Sequence, residues 1–246
     1  MTVNARLKKI SLLREKVADW EKYPFTVPVI RALEELELKS RVTYFVGENG
    51  SGKSTLLEAI ASHAGFAVEG GTRNFAMQTT DSSSSVFALR DVLRISWSRK
   101  NIKGYYLRAE SFFNNATYID QLGYLESYGH KSLHQQSHGE SFLALLENKF
   151  RPGGLFIMDE PEAALSPLRQ LSLLVIMGKL MKHPDTQFII STHSPIVLSY
   201  PEATILSFDD GKIREINYEE SLPYEVYSSF LNRRKTYLKE LFAELF

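Results

Sequence analysis

Gly47-Glu48-Asn49-Gly50-Ser51-Gly52-Lys53-Ser54 fits the pattern G-x-x-x-x-G-K-[ST]. The glycines at 47, 50 and 52 carry no Cβ, so the main chain can wrap closely around an anion. Loop amides and the N-terminus of a following helix would face that anion, with Asn49, Ser51 and Thr55 completing a cradle over residues 47–55. Lys53 is spaced to reach the β- and γ-phosphates of a nucleoside triphosphate, and Ser54 to ligate magnesium. The plainer alternative is a glycine turn. Here, however, a buried-strand pattern precedes the run and an apolar helical pattern follows it.

Three further runs add acids, a histidine and a polar turn. Leu155-Phe156-Ile157-Met158 leads into Asp159 and Glu160. A strand of that kind delivers Asp159 to the C-terminal edge of a sheet, where it can hold magnesium directly or through water. Glu160 is then the general base that polarises an attacking water. Thr192-His193-Ser194 follows the apolar run QFIIS, with His193 34 residues beyond Asp159. A histidine there can bond a terminal phosphate and sense its loss, whereas a lone histidine is ordinarily a surface-loop residue. Ser137-His138-Gly139-Glu140-Ser141 has the S-x-x-E spacing of a capping box before an apolar helix. Capping explains Ser137 and Glu140, but not Gly139 or its place 20 residues before Asp159.

The elements that must position these residues are legible in outline. The runs 41–47, 155–158 and 187–192 are nearly continuous apolar stretches, as expected of strands buried on both faces. Residues 53–65 have helical spacing and a glycine stop, and Ser166-Pro167 opens a helix to about Lys182. Residues 5–14 and 23–30 read as strands of an antiparallel edge sheet, and 31–40 as a short helix or a polar strand. Residues 86–97 read as a helix, 103–111 as a strand and turn, and 66–86 as a loop. Asp209-Asp210-Gly211 marks a hairpin between ATILSF and KIREINY, and the last 24 residues suit one amphipathic helix. Buried strands alternating with helices give an α/β fold with a mainly parallel central sheet flanked by helices and an N-terminal antiparallel β-subdomain.

Composition excludes several classes. The 29 basic and 29 acidic residues cancel, so there is no bulk electrostatic footprint for nucleic acid, although a balanced total can conceal a local patch. The absence of cysteine rules out disulfides and thiolate metal sites and suits a reducing cytosol. MTVNARLKKI lacks the apolar core of a signal peptide, and no run approaches the roughly 20 apolar residues of a membrane span. The expectation is a cytoplasmic protein without membrane insertion. His130, His134 and His138 recur at helical ligand spacing, but no carboxylate completes an obvious metal set.

In this order the four runs resemble the ABC ATPase superfamily, over residues 41–210. GENGSGKS resembles its Walker A, LFIMDE its Walker B, THS its switch-histidine loop, and SHGES a variant of its signature; EAALSP, 162–167, lies where its D-loop lies. GYYLRAESFF, SHGESFLALL and DEPEAALSP are similar to compact bacterial AAA-type ATPases related to SMC and RecF heads. The resemblance implies a P-loop NTPase fold, one domain over 1–246 with a variable, partly helical insertion at about 66–136, and ATP with Mg2+ as ligands. It implies hydrolysis by Glu160, Lys53 and His193, and an ATP-dependent homodimer. Ser137, Gly139, Glu140 and Ser141 of one subunit would touch the γ-phosphate held by the other. It also implies an unidentified protein partner, with nucleic-acid maintenance or phage defence as SMC/RecF-like roles, and a transporter subunit or a regulatory module as alternatives.

The pattern departs from the family in places. Glu140 stands where transporters carry glycine, and His138 where they carry a small residue. The glutamine that transporters place between Walker A and signature has two candidate positions, Gln78 and Glu110; Glu110, or its neighbour Arg108, follows the better strand, and Glu110 joins Ser54 and Asp159 as a metal candidate. Tyr23 and Phe25 are available upstream to stack on adenine or to pack the core.

Overall fold

The structure, a computed structural model, describes residues 6–67, 70–72, 83–98, 103–110 and 138–243. Its centre is a six-stranded sheet in the order β5-β6-β7-β3-β8-β9. The strands are β3 (Val42–Val46), β5 (Gly104–Arg108), β6 (Leu155–Asp159), β7 (Gln187–Ser191), β8 (Thr204–Ser207) and β9 (Arg214–Ile216). β5, β6, β7, β3 and β8 run parallel, and only β9 pairs antiparallel at the edge. A second, antiparallel sheet has the order β2-β1-β4, from β1 (Leu7–Leu12), β2 (Glu35–Glu37) and β4 (Leu93–Trp97).

All five residues of β3, β6 and β7 are buried, because helices cover both faces of the sheet. The side-chain period of two divides each strand between two cores. Phe45, Ile157 and Ile189 face one core with α2 (Lys53–His63) and α3 (Ser83–Val92). Tyr44, Phe156, Met158, Phe188 and Ile190 face the other, with α4 (His138–Lys149) and α5 (Pro167–Met181). Phe150 stacks on Phe156 at 4.2 Å between centroids. Each such fully buried side chain contributes about 1.5–3 kcal/mol.

This arrangement fixes the site. Phe45 on β3 and Asp159 on β6 both register with Ser191 on the intervening β7, so the three strands end level. The loops that follow them, at 47–52, 160–166 and 192–194, therefore emerge on one edge, as the parallel-sheet rule for ligand sites requires.

Several elements differ from the sequence expectation. Residues 23–30 are not a strand; a turn leads into the short helix α1 (Pro28–Ala32), with Pro28 at its first position. Residues 31–40 contain the end of α1 and then strand β2. The expected helix over 86–97 stops at Val92. Leu93 and Ile95 are buried while Arg94 and Ser96 are exposed, an alternation that pairs β4 with β1. The antiparallel sheet thus takes its third strand from within residues 66–136. The C-terminal segment is two helices, α7 (Leu222–Asn232) and α8 (Arg234–Leu241), separated where Arg233 leaves the helical region at φ −130°. A short helix α6 (Pro195–Leu198) follows the histidine loop. Among the described residues no helix is long and apolar enough to cross a membrane.

Candidate nucleotide site

The loop after β3 owes its shape to glycine at two points. Gly47 has φ +142°, and a Cβ there would lie 3.0 Å from Asp209 Oδ1. Gly52 has φ +100°, caps α2, and a Cβ there would lie 2.8 Å from both Val27 and Val29. Asp209, read from sequence only as a hairpin residue, accepts from the Glu48 amide at 3.0 Å and so anchors the loop from β8. Asn49 and Gly50 are exposed, Ser51, Ser54 and Thr55 are half-buried, and Lys53 is buried.

Lys53 Nζ donates to the carbonyls of Gly47 and Glu48 at 2.7 and 2.8 Å. Burial lowers its pKa, against the attraction of Glu160, Asp159, Asp209 and Glu162. The ammonium is thus held inside the curl of its own loop, and an anion seated there would offset its lost hydration. Ser54 Oγ donates to Asp159 Oδ1 at 3.1 Å, joining the first turn of α2 to the end of β6. Burial raises the Asp159 carboxyl; Arg108 lowers it, Glu160 raises it, and the hydrogen bond from Ser54 lowers it.

Glu160 sits in the left-handed region at φ +48°, ψ +53°, with its amide donating to Ser191 O at 3.0 Å. Its side chain is 43% exposed, and Oε1 lies 3.6 Å from His193 Nε2. Burial lowers the His193 pKa, aided by Lys53 and opposed by Glu160 and Asp209, which favours the neutral imidazole. His193 Nε2 is buried and has no hydrogen-bond partner. The fold therefore gathers Lys53, Ser54, Asp159, Glu160 and His193 at one sheet edge.

Glu110, a metal candidate from sequence, follows the end of β5. Its side chain is 81% exposed and pairs with Arg108 at 3.0 Å. Arg108, aligned with Asp159 in the sheet, carries a second bond of 2.7 Å to Glu58 on α2. Arg108 is therefore the member of this strand end that faces the acidic cluster. Phe25 is core, packed edge-on against Trp20 at 5.9 Å, whereas Tyr23 is 56% exposed and its hydroxyl lies 2.9 Å from Thr55 Oγ1. Tyr23 is thus the one of the two placed beside the glycine-rich loop's helix.

Gly139, Glu140 and Ser141 occupy the first turn of α4. Gly139 packs so tightly on α5 that a Cβ would lie 2.4 Å from Arg169 Nη1, and Glu140 pairs with Arg169 at 3.2 Å. Ser141 is 2% exposed. Gly139 and Glu140 thus rest on the segment after β6. Ser137, Gln78, His130 and His134 lie outside the described residues, as does the His138 side chain.

Sequence reading did not single out Glu162. Its carboxylate accepts from Thr192 Oγ1 at 2.8 Å and from the His193 amide. An acid in a loop is ordinarily a solvated residue, and only the pairing across 30 positions marks this one. As for a cofactor, Ser54 and Asp159 offer the hard oxygens that magnesium prefers. Among the described residues no three His, Asp or Glu are grouped to hold a metal by themselves.

Comparison with known proteins agrees with this geometry. A family model described as "AAA domain" matches residues 27–149, half of the chain, and one described as "AAA domain, putative AbiEii toxin, Type IV TA system" matches residues 141–199. The chain is 27% identical over 125 residues to a "Putative ABC transporter ATP-binding protein" of Methanosarcina acetivorans; the match spans 50% of this chain and 37% of that relative's length. Among solved structures, cbiO1 of Clostridium perfringens, part of the ABC transporter complex cbiONQ, is similar at 19% identity and TM-score 0.47, over 85% of this chain and 91% of that one. The SMC head domain from Thermotoga maritima is similar at 17% identity and TM-score 0.46, over 86% and 98%. With its glycine-rich loop, acidic strand end and parallel sheet, the chain belongs to the AAA-domain family whose model it matches.

Proposed function

We propose that this protein binds ATP with magnesium over residues 47–55 and hydrolyses it, closing as a head-to-tail homodimer to drive a change in a partner. The convergence of Lys53, Ser54, Asp159, Glu160 and His193 on one sheet edge carries this reading. Loop amides and Lys53 hold the triphosphate. Ser54 and Asp159 would hold magnesium, which supplies charge neutralisation at the phosphates. Glu160 accepts the proton of the attacking water, and neutral His193 bonds the terminal phosphate through Nε2. The first turn of α4, with Gly139, Glu140 and Ser141, completes the site of the second subunit. Loss of the γ-phosphate removes shared contacts and opens the dimer.

Glu160→Gln tests this: it keeps the side-chain shape and removes the base. Turnover is expected to fall by at least about a hundredfold, with an ATP-bound dimer accumulating in light scattering. A Glu160→Gln protein that stays monomeric in saturating ATP and magnesium contradicts the dimer mechanism.

A second reading, the ATP-binding subunit of a membrane transporter, is favoured by the Methanosarcina relative's description. Stimulation of ATP turnover by detergent-solubilised membranes, but not by DNA or RNA, would select it over an SMC/RecF-like role.

A further inference from the structure

The balanced charge of the whole chain conceals a local basic patch. Residues 233–239, RRKTYLK, hold four basic side chains and no acid, and Arg233, Arg234, Lys235 and Lys239 are all exposed. They occupy the elbow between α7 and α8 and the length of α8.

The same two helices carry an apolar face that nothing among the described residues covers. α7 is anchored at its start, where Ser221 and Pro223 are buried and the Tyr224 ring packs against Tyr218 at 4.9 Å. From 224 to 243 no residue is buried. Leu222, Val226, Tyr227 and Leu231 recur at i, i+4, i+5 and i+9, on one broad side of α7, with Glu225, Ser228, Ser229 and Asn232 on the other. A surface helix ordinarily turns such an apolar side to the core. Here it faces outward, with Leu231 70% exposed and Leu241, on α8, 60% exposed. Phe242 is exposed beside Leu241, and Phe230 meets Tyr237 edge-on at 5.6 Å, which joins the two helices.

We propose that α7 and α8 form a docking surface for an anionic lipid bilayer, lying on the membrane interface without crossing it. The four cations meet the headgroups, and Leu222, Val226, Leu231 and Leu241 enter the acyl boundary beneath them. A nucleic acid would use only half of this surface, because aliphatic side chains neither stack on bases nor bond their edges. Over residues 221–243 four basic residues also stand against two acidic ones, too small a surplus to follow a phosphate backbone. An anionic lipid surface engages both features. The two helices supply no residue to the nucleotide site, so lipid binding stands apart from ATP hydrolysis.

Sedimentation of the full chain with vesicles tests this. Vesicles of phosphatidylcholine with about one-third phosphatidylglycerol should bind the parent at least about tenfold more tightly than phosphatidylcholine alone. Leu231→Ser with Leu241→Ser should weaken that binding at least about tenfold, and Arg234→Gln with Lys235→Gln should abolish the preference for anionic lipid. All four positions are exposed, so the unfolding midpoint should stay at the parental value in both double variants. A parent that stays in the supernatant, that binds both vesicles alike, or whose vesicle binding neither variant changes overturns the proposal. Binding to a single-stranded oligonucleotide, lost in the arginine–lysine variant and kept in the leucine variant, would assign the patch to nucleic acid instead. Self-association without vesicles, abolished in the leucine variant, would assign the face to a second copy and equally overturn the lipid reading.

Discussion

Ser54 Oγ donates to Asp159 Oδ1 at 3.1 Å, joining residues 105 positions apart on α2 and β6. This bond places a hydroxyl and a carboxylate where a divalent ion and a phosphate would meet them. It also sets the cost of the site, because the carboxylate is buried and its pKa is raised chiefly by that burial.

Asp159→Asn removes the buried charge while keeping an oxygen for Ser54. A raised carboxyl pKa means that the folded state favours the neutral form. The nucleotide-free variant should therefore gain stability, on the order of 1 kcal/mol by urea denaturation at pH 7.5. Magnesium-dependent ATP affinity should fall by at least about tenfold. A less stable variant with parental affinity would refute both roles.

Glu160 stores backbone strain at φ +48°, ψ +53°. Glu160→Gly relieves it and should stabilise the free protein by about 1 kcal/mol while abolishing turnover. Glu160→Gln keeps the strain and should show no such gain. Equal unfolding midpoints for the two variants would contradict strain at this position.

Gly52→Ala should be costly for two reasons, a left-handed φ of +100° and a Cβ 2.8 Å from Val27 and Val29. The expected loss is about 3 kcal/mol, read from the denaturation midpoint. A loss below about 1 kcal/mol would mean the loop relaxes without its glycine.

His63, at the end of α2, has its pKa lowered by burial, with Arg90 lowering it further and main-chain bonds and Asp91 opposing. The unfolded chain then binds a proton that the folded chain resists. The contribution is fully present above the unfolded pKa, near histidine's ordinary 6.5, and is lost as pH falls through that value toward the lower folded pKa. Denaturation at pH 7.5 and 5.5 should show a smaller acid loss in His63→Gln than in the parent. An identical loss in both would remove His63 from the acid response.

The parallel core was legible because strands buried on both faces must be continuously apolar, and VTYFV, LFIM and QFII announce themselves in that way. Residues 23–30 misled because their β-branched residues are interrupted by Pro24 and Pro28, and the second proline starts a helix. The 86–97 segment misled because its helix passes into a strand at Leu93, where the period changes from helical to two. In the site, Lys53, Ser54, Asp159 and Glu160 follow from local spacing. Asp209 and Glu162 do not, since each acts on a partner brought close only by the sheet.

Nucleotide uptake at the Lys53 loop is tested most directly by titration calorimetry with ATP and magnesium on the parent and on Lys53→Ala. One ATP should bind per chain to the parent, and Lys53→Ala should bind at least about tenfold more weakly, having lost the ammonium that Gly47 and Glu48 hold in place. No uptake by the parent, or equal affinity in Lys53→Ala, would contradict ATP binding at this loop.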